Sequence, residues 1–156
     1  MTNEKLQKTN LGFTLIELLV VISIIGILIG LSIFGLQGAR ESSRDARRKA
    51  DLEQLRSGLE IYKADCDTYP VGNGNPSTVF GSALVGDGST TSCAVSNTYI
   101  SQIPVDPTNP NRTYLYSSNG VTYELCTAVE QATAGTVTCG GSSSCGASCN
   151  YKVTNP

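Results

Sequence analysis

Histidine and tryptophan are absent from this 156-residue sequence, and charged residues make up only 15% of it. Without histidine, the chain lacks the commonest general base and the commonest zinc ligand. It also has no nucleophile-elbow motif, no phosphate-binding glycine loop and no pair of carboxylates in a recognisable catalytic frame. The sequence therefore predicts a protein that is not an enzyme, with no cofactor and no metal site.

Charge is especially scarce in the second part of the chain. Residues 1–70 carry nine basic and nine acidic side chains, whereas residues 71–156 are rich in Gly, Ser, Thr and Asn. The charged residues of that second part are Arg112, Lys152, Asp87, Asp106, Glu124 and Glu130. Because they form no basic patch, we do not expect this part to bind nucleic acid.

One long apolar run is present, from Leu18 to Ala39, with 22 residues and no charge. As a helix it spans roughly 33 Å, enough for a hydrocarbon core of ~30 Å. Lys5 and Lys8 precede it, which predicts a cytoplasmic N-terminus and an outward-facing remainder. A buried helix of a soluble domain fits poorly because the run is apolar on all sides. A cleaved secretory signal fits poorly because residues 36–39 make a weak cleavage site.

Glu17 stands at the start of this run and separates it from a plain signal anchor, which the apolar residues alone would fit equally well. A carboxylate in a membrane helix costs about 2.5–3.5 kcal/mol at the bilayer centre, and less near its edge. Such groups usually pair with a partner. Cleavage after Gly12 would create one, the amino group of Phe13, four residues before Glu17.

Residues 12–30 (GFTLIELLVVISIIGILIG) resemble the N-terminal signature of type IV pilins and of the pseudopilins of type II secretion. The resemblance implies that residues 1–12 are a leader, which a prepilin peptidase removes after Gly12. It implies N-methylation of the new terminal residue, Phe13, by the same enzyme. It also implies that Glu17 pairs with the amino terminus of a neighbouring subunit during assembly.

Gly26 and Gly30 form a small-xxx-small pair within residues 13–39, the predicted transmembrane half of the helix. Such pairs let membrane helices approach closely. Ordinary use of glycine in membrane helices explains them equally well, so helix packing at this pair is one of two interpretations.

Beyond the membrane the helical pattern continues, with Leu52, Leu55, Leu59 and Tyr62 on one face. The sequence predicts one helix from about residue 13 to about residue 66, ending before Pro70. Its second, amphipathic half spans residues 40–68.

The start of this second half is rich in charged residues of both signs. We interpret them as a mixed-sign solvated face that includes an Asp45–Lys49 pair, with charge pairing between subunits as the alternative. The segment from Arg44 to Lys49 is also close enough to the membrane surface to contact lipid headgroups.

Residues 69–156 predict a small head. Residues 71–98 are loop-like, and residues 99–107 form a proline-rich connector. Thr113–Ser117 and Val121–Val129 predict a hairpin around Asn119-Gly120, and Asn150–Val153 predicts a third strand. The fold class is α+β: a long N-terminal helix packed on a small antiparallel sheet, with a type IV pilin-like arrangement.

The head is similar to the major pseudopilin of type II secretion in four places. These are residues 62–70, residues 103–107, the Tyr114-x-Tyr116 pair and residues 123–125. The chain departs from that group because no acidic residue follows Glu130, so we do not carry over the group's calcium-binding loop. The six cysteines are a second departure.

All the cysteines follow the predicted export segment, and their even number predicts disulfides formed in an oxidising compartment. The sequence does not select their pairing, although Cys66 is well placed to tie the helix to a loop. Zinc is the competing interpretation for the last three, but their spacing is unlike the usual ligand pairs. The cysteines are Cys66, Cys93, Cys126, Cys139, Cys145 and Cys149.

The predicted function is a structural filament subunit, of either a type IV pilus or a type II secretion pseudopilus. It would be a single-pass protein of the inner membrane, with its head outside the cytoplasm and its filament in the periplasm or on the cell surface. The expected partners are the prepilin peptidase, copies of itself, minor pilins or pseudopilins, the inner-membrane assembly platform and membrane lipid. The alternative is a membrane-anchored adhesin or minor pilin that binds a ligand through its head loops.

Overall fold

A computed structural model describes residues 12–131 and 135–156, apart from the Phe34 side chain. The predicted leader up to residue 11, with Lys5 and Lys8, lies outside the described residues. The chain divides into two compact units, residues 1–39 and 40–156. The longest element is α1 (Leu15–Cys66), and its bounds match the helix expected from the sequence.

In the first unit, the apolar side chains of α1 are exposed. Leu15 is 89% exposed, and large apolar side chains from Ile16 to Leu36 are at least about half exposed. By length and composition, this helix is long and apolar enough to cross a membrane. The two serine hydroxyl groups of the apolar run Leu18–Ala39 bond within the helix, Ser23 to the Leu19 carbonyl and Ser32 to the Leu28 carbonyl. That satisfies them without water, as a lipid environment requires.

The C-terminal end of α1 is set by backbone geometry rather than by proline. Asp67 has a φ of 62°, in the left-handed region, and its N–H donates to the Lys63 carbonyl at 3.0 Å. This is the usual way in which a left-handed residue closes a helix. The Lys63 ammonium also donates to the Asp67 carbonyl. The helix therefore ends before Pro70, as predicted.

The described residues of the head, 69–131 and 135–156, form six strands and one short helix. In chain order they are β1 (Gly72–Gly74), α2 (Pro76–Phe80), β2 (Leu84–Val85), β3 (Thr98–Ile100), β4 (Leu115–Ser118), β5 (Tyr123–Thr127) and β6 (Tyr151–Thr154). The main sheet is antiparallel with the order β1-β4-β5-β6, and β2 pairs with β3 in a separate ribbon. The predicted hairpin and third strand are confirmed as β4, β5 and β6.

The interpretation of residues 71–98 as a loop was wrong in part. This segment supplies β1, α2 and β2, and β3 begins at its end. The β1 strand reads Gly-Asn-Gly and carries no apolar alternation, so its sequence gives no strand signal. It forms because it pairs with the edge of β4, Asn73 lying opposite Ser117.

The turn between β4 and β5 depends on Asn119. Its side-chain oxygen accepts hydrogen bonds from the backbone N–H groups of Val121 and Thr122, both at 2.9 Å. Gly120 follows with a φ of 90°, which side chains with a Cβ rarely adopt. The Asn-Gly signal is therefore correct, although the connection spans four residues instead of two.

The core lies between the second half of α1 and the inner face of the sheet. Leu52, Leu55, Leu59 and Tyr62 are buried, as the helical spacing predicted. The head contributes Tyr114, directly before β4, and Tyr116, Tyr123 and Leu125 from the sheet, all at most 1% exposed. The head thus packs on the face of α1 that was identified from the sequence, which gives the expected α+β fold.

Tyrosine hydroxyl groups in this core bond to carboxylates on α1. Tyr114 donates to Asp51 at 2.6 Å, and both Tyr69 and Tyr123 donate to Glu60 at 2.9 Å. A buried tyrosine usually needs such a partner. Asp51 and Glu60 of α1 therefore help to orient the sheet on the helix.

Candidate functional site

The first candidate site is the start of α1, where Thr14 and Glu17 form a reciprocal capping arrangement. The Glu17 carboxylate accepts from the Thr14 N–H at 2.9 Å and from the Thr14 hydroxyl at 2.7 Å, through the same oxygen, Oε2. In return, the Glu17 N–H donates to the Thr14 hydroxyl oxygen at 3.3 Å. A Thr-x-x-Glu sequence before an apolar run is the signal for this capping box. Our reading of the sequence missed it.

The other Glu17 oxygen, Oε1, has no hydrogen-bond partner among residues 12–131 and 135–156. Phe13 beside it is 87% exposed. A Cβ built on Gly12 would meet no atom of the described residues within 4 Å. The predicted cleavage position and the carboxylate are thus both open to a second molecule.

Gly26 and Gly30 lie one turn apart on the same helix. A Cβ built on either would also meet no atom within 4 Å in the part of the chain that the structure describes. The two glycines leave a shallow depression in an otherwise bulky apolar surface, which suits close approach of another helix. The structure does not bring this pair into contact with the Gly12–Glu17 segment.

The second candidate site is a buried charge cluster at the start of the head. It joins Arg44, Asp45 and Arg48 of α1 to Asp106 and Glu130 of two head loops. Arg48 contacts Asp45 at 2.8 Å, Asp106 at 2.8 Å and Glu130 at 2.7 Å, and its side chain is fully buried. Arg44 pairs with Glu130 through two hydrogen bonds.

This cluster corrects the predicted solvated face of α1. Asp45 pairs with Arg48 and not with Lys49, and it also accepts backbone N–H groups of Glu130 and Gln131. Lys49 instead lies 5.5 Å from the centre of the Tyr151 ring. Arg44 and Arg48 are occupied by head carboxylates, so they are poorly suited to the headgroup contact suggested from the sequence.

The charges of the cluster stabilise one another. Hydrogen bonds from Arg44 are the main reason that the pKa of Glu130 falls to about 2; burial raises this pKa by less, and bonds from Arg48 lower it further. Burial favours a higher pKa for Asp106, but hydrogen bonds from Arg48 and Thr108 outweigh it and lower that pKa. Both acids therefore stay charged near neutral pH, with the Arg48 guanidinium between them.

All six cysteines are paired in the second unit. Cys66 bonds to Cys93, Cys126 to Cys139 and Cys145 to Cys149. The first bridge joins the end of α1 to the loop after β2, as expected for Cys66. Cys126–Cys139 holds the segment after residue 135 beside β5, and Cys145–Cys149 closes a short loop within that segment. Disulfides, rather than zinc, thus account for the last three cysteines.

Two known protein families match this chain, one over its N-terminal segment and one over most of the remainder. The family described as "Prokaryotic N-terminal methylation motif" matches residues 7–33, which include Gly12, Phe13 and Glu17. The family described as "Type II secretion system (T2SS), protein G" matches residues 36–140, well over half of the chain. The chain belongs to the type II secretion system protein G family. The resemblance noted from the sequence is therefore confirmed.

Several curated proteins are similar to part of the chain. They are named type II secretion system core protein G. The protein from Pectobacterium carotovorum is 41% identical over 59 residues, which are 38% of each chain. The Escherichia coli K12 protein is 40% identical over 62 residues, 40% of this chain and 43% of the relative. The Pseudomonas aeruginosa protein is 36% identical over 59 residues, 38% of this chain and 42% of the relative.

The chain thus spans about two fifths of the length of the curated relatives that it matches. No solved structure matches it significantly. Within the protein G family match lie Arg48, Asp106 and Glu130, the cluster that sequence reasoning missed. The available signal was the isolation of Asp106 and Glu130 in a head that has so few charges.

Proposed function

We propose that this member of the protein G family is a structural subunit of a type II secretion pseudopilus. Its precursor is anchored in the inner membrane by the first part of α1, with the N-terminus in the cytoplasm and the head outside. The prepilin peptidase cuts it after Gly12 and methylates the new amino group of Phe13. Mature subunits then assemble with one another and with minor pseudopilins on an inner-membrane platform.

The single observation that carries this proposal is the position of Glu17, an exposed carboxylate that opens an exposed apolar helix. A membrane anchor gains nothing from such a charge, because removing it from water without a partner is costly. Cleavage after Gly12 converts the Phe13 amide nitrogen into an amine, which is a partner of opposite charge. An amine and a carboxylate from two subunits satisfy each other in a medium of low dielectric constant.

The capping box supports this role for Glu17. Thr14 holds Oε2 at the first turn of the helix, which fixes the carboxylate close to the cleavage position. Oε1 is left for the amine of a neighbouring subunit. Only one axial arrangement of two helices brings these groups together, so the pair would also set the register of the filament.

The exposed apolar surface of α1 supplies the rest of the packing. Outside lipid, this surface needs cover from similar helices, and the depression at Gly26 and Gly30 lets two backbones approach. The head needs no partner to form its own core, since α1 covers one face of the sheet and the disulfide-linked segment lies beside β5. Helix packing for assembly and an independently folded head together suit a filament subunit.

Intact-mass measurement tests the processing steps. The chain is expressed in cells with and without a prepilin peptidase and purified from the membrane. We expect a chain that starts at N-methylated Phe13 with the peptidase, and the uncut precursor without it. A mature chain that keeps Met1, or that starts near Ala39, contradicts the proposal.

Deletion of the gene in its native host tests the role in secretion. We expect proteins normally released to the medium to accumulate in the periplasm, and the wild-type gene to restore their release. Normal secretion in the deletion strain, with loss of a surface filament instead, would assign the subunit to a pilus.

A further inference from the structure

Residues 137–149, called the flap below, lie over the outer face of β4 and β5. Tyr123 and Leu125 of β5 are buried in the main core, so Cys126 between Leu125 and Thr127 points to the opposite face of the sheet. Leu115 of β4 lies opposite it. Cys139 of the flap is bonded to Cys126. We propose that the flap is operated by redox state: the Cys126–Cys139 disulfide is the latch that holds it on the sheet, and reducing that bond releases it.

The apolar contacts of the flap are made mainly by cysteines. Val137 is its one large aliphatic residue, and its other residues are Thr, Cys, Gly, Ser and Ala. The main core, by contrast, buries leucines and tyrosines. So small an apolar surface is a weak return for the conformational entropy lost in ordering the flap. The cluster under the flap consists of Cys126, Ala128, Cys139, Cys145 and Cys149, with Leu115 and Val137 partly buried.

Hydrogen bonds from the flap to the sheet side are few among the described residues. The Gly140 N–H donates to the Glu124 carboxylate at 2.9 Å, and the Gly140 carbonyl accepts from the Asn73 amide at 3.4 Å. The Thr113 N–H donates to the Cys145 carbonyl at 2.9 Å. Both bonds of Gly140 are exposed, so water replaces them at little cost when the two sides separate. These contacts position a latched flap, and the covalent bond keeps it in place.

The two disulfides of this region have different tasks. Cys145 and Cys149 are four positions apart and both belong to the flap, so their bridge shapes the flap without fastening it to anything else. Cys126 and Cys139 are 13 positions apart, with one partner on β5 and the other in the flap. Loss of the Cys126–Cys139 bridge should therefore release the flap, whereas loss of the Cys145–Cys149 bridge should not.

The closed flap shields its own latch. The four cysteines of this cluster are 0% exposed. Thiol–disulfide exchange requires a thiolate to reach one of the bonded sulfurs, so a reductant attacks the latch only after the flap has moved away. Opening brings the sulfurs of Cys126 and Cys139 to the surface, together with the side chain of Leu115. The latch is therefore made easily in the open state and broken slowly in the closed one.

Closure is a two-electron oxidation, and its setting rests on the proposed position of the head outside the cytoplasm, since a chain is exported with its cysteines as thiols. The thiolate of one cysteine attacks the disulfide of a thiol–disulfide oxidoreductase and forms a mixed disulfide. The thiolate of the other then displaces the oxidoreductase and completes the Cys126–Cys139 bond. The oxidoreductase leaves as a dithiol, carrying two electrons, and takes up two protons in place of those that the two cysteines lost. The flap is thus open at export and closes when this step is complete.

Hydrogen exchange of the purified full-length chain in detergent, read by peptide mass spectrometry, tests the latch. The wild type is compared with the Cys126→Ser/Cys139→Ser variant. We expect residues 137–149 to exchange at least about tenfold faster in the variant, because few contacts remain to keep the flap closed. The strands β4 and β5 should still exchange more slowly than the flap, since the main core does not depend on the latch. The result does not depend on whether the subunit assembles into a filament.

The matched control is Cys145→Ser/Cys149→Ser, which removes a bridge within the flap and keeps the latch. We expect residues 139–142 to exchange at nearly the wild-type rate in this control. A flap that stays as protected as the wild type in the latch variant would overturn the proposal, and so would equal acceleration in the two variants. A common rate for the flap, β4 and β5 would also overturn it, because the flap would then be part of one cooperative unit.

Discussion

Arg48 and Asp106 form an ion pair in which both side chains are completely buried. Arg48 donates from Nε to Oδ2 at 2.8 Å and from Nη2 to Oδ1 at 3.2 Å. The two residues are 58 positions apart in the chain. The pair therefore fixes the loop after β3 to a particular turn of α1, a task that apolar packing performs with less directional precision.

Replacing Arg48 should destabilise the head far more than replacing its neighbour. Arg48→Met leaves three carboxylates without their shared cation, and we expect a loss of about 3–5 kcal/mol in the free energy of unfolding. Arg47→Met is the matched control, because Arg47 is 66% exposed and its ion pair with Asp51 is long, at 3.9 Å. Its change should stay within about 0.5 kcal/mol. Urea unfolding in detergent, followed by tyrosine fluorescence, measures both, and equal losses would contradict the role given to Arg48.

The stability of the head should fall in acid because of Glu130. Its pKa is about 2 in the folded chain, against an ordinary value of 4.5. A group with a lowered folded pKa stabilises the protein fully above the unfolded value, and this stabilisation is lost as the pH falls towards the folded value. We therefore expect a decline between about pH 4.5 and pH 2. Thermal unfolding of the wild type and of Glu130→Gln across this range measures it, and the variant should show a shallower decline.

The three disulfides should differ in their contribution to stability. They close segments with separations of 27, 13 and 4 residues. The chain-entropy relation gives about 3.6, 2.9 and 1.9 kcal/mol for the bridges of Cys66, Cys126 and Cys145, in that order. Three double Cys→Ala variants, unfolded in urea, measure the ranking. A larger loss from the Cys145–Cys149 variant than from the Cys66–Cys93 variant would show that strain or local packing, not loop closure, decides.

Sequence reasoning succeeded where residues close together in the chain decide the structure. The spacing of Leu52, Leu55, Leu59 and Tyr62 identified the buried face of α1, and Asn119-Gly120 identified the hairpin. In both cases neighbouring residues in the chain carry the information. Residues 12–30, in which Glu17 directly precedes the long apolar run, were also sufficient to indicate the family.

The failures share a different cause, which is contact between residues far apart in the chain. The Gly72–Gly74 strand has no pattern of its own and exists because β4 offers an edge. Asp45 and Arg48 looked like ordinary surface charges because their partners, Asp106 and Glu130, come about 60 and 80 residues later. The capping box is the exception, since Thr14 and Glu17 are close in sequence and the signal was present.

Substitutions at Glu17 and Thr14 can separate the charge of the carboxylate from its capping role. Glu17→Gln keeps an oxygen that can accept from Thr14, because glutamine also serves in a capping box, but it removes the charge. Thr14→Val keeps the charge and the backbone bond but loses the hydroxyl contact.

We expect normal cleavage after Gly12 in both Glu17→Gln and Thr14→Val. Assembly should fall sharply in Glu17→Gln, and as far in Glu17→Val, but only partly in Thr14→Val. Filament yield sheared from cells, set against the amount of mature subunit in the membrane, gives the comparison. Normal filaments from Glu17→Gln would mean that hydrogen bonding at the helix start, and not pairing with the Phe13 amine, is what assembly requires of this residue.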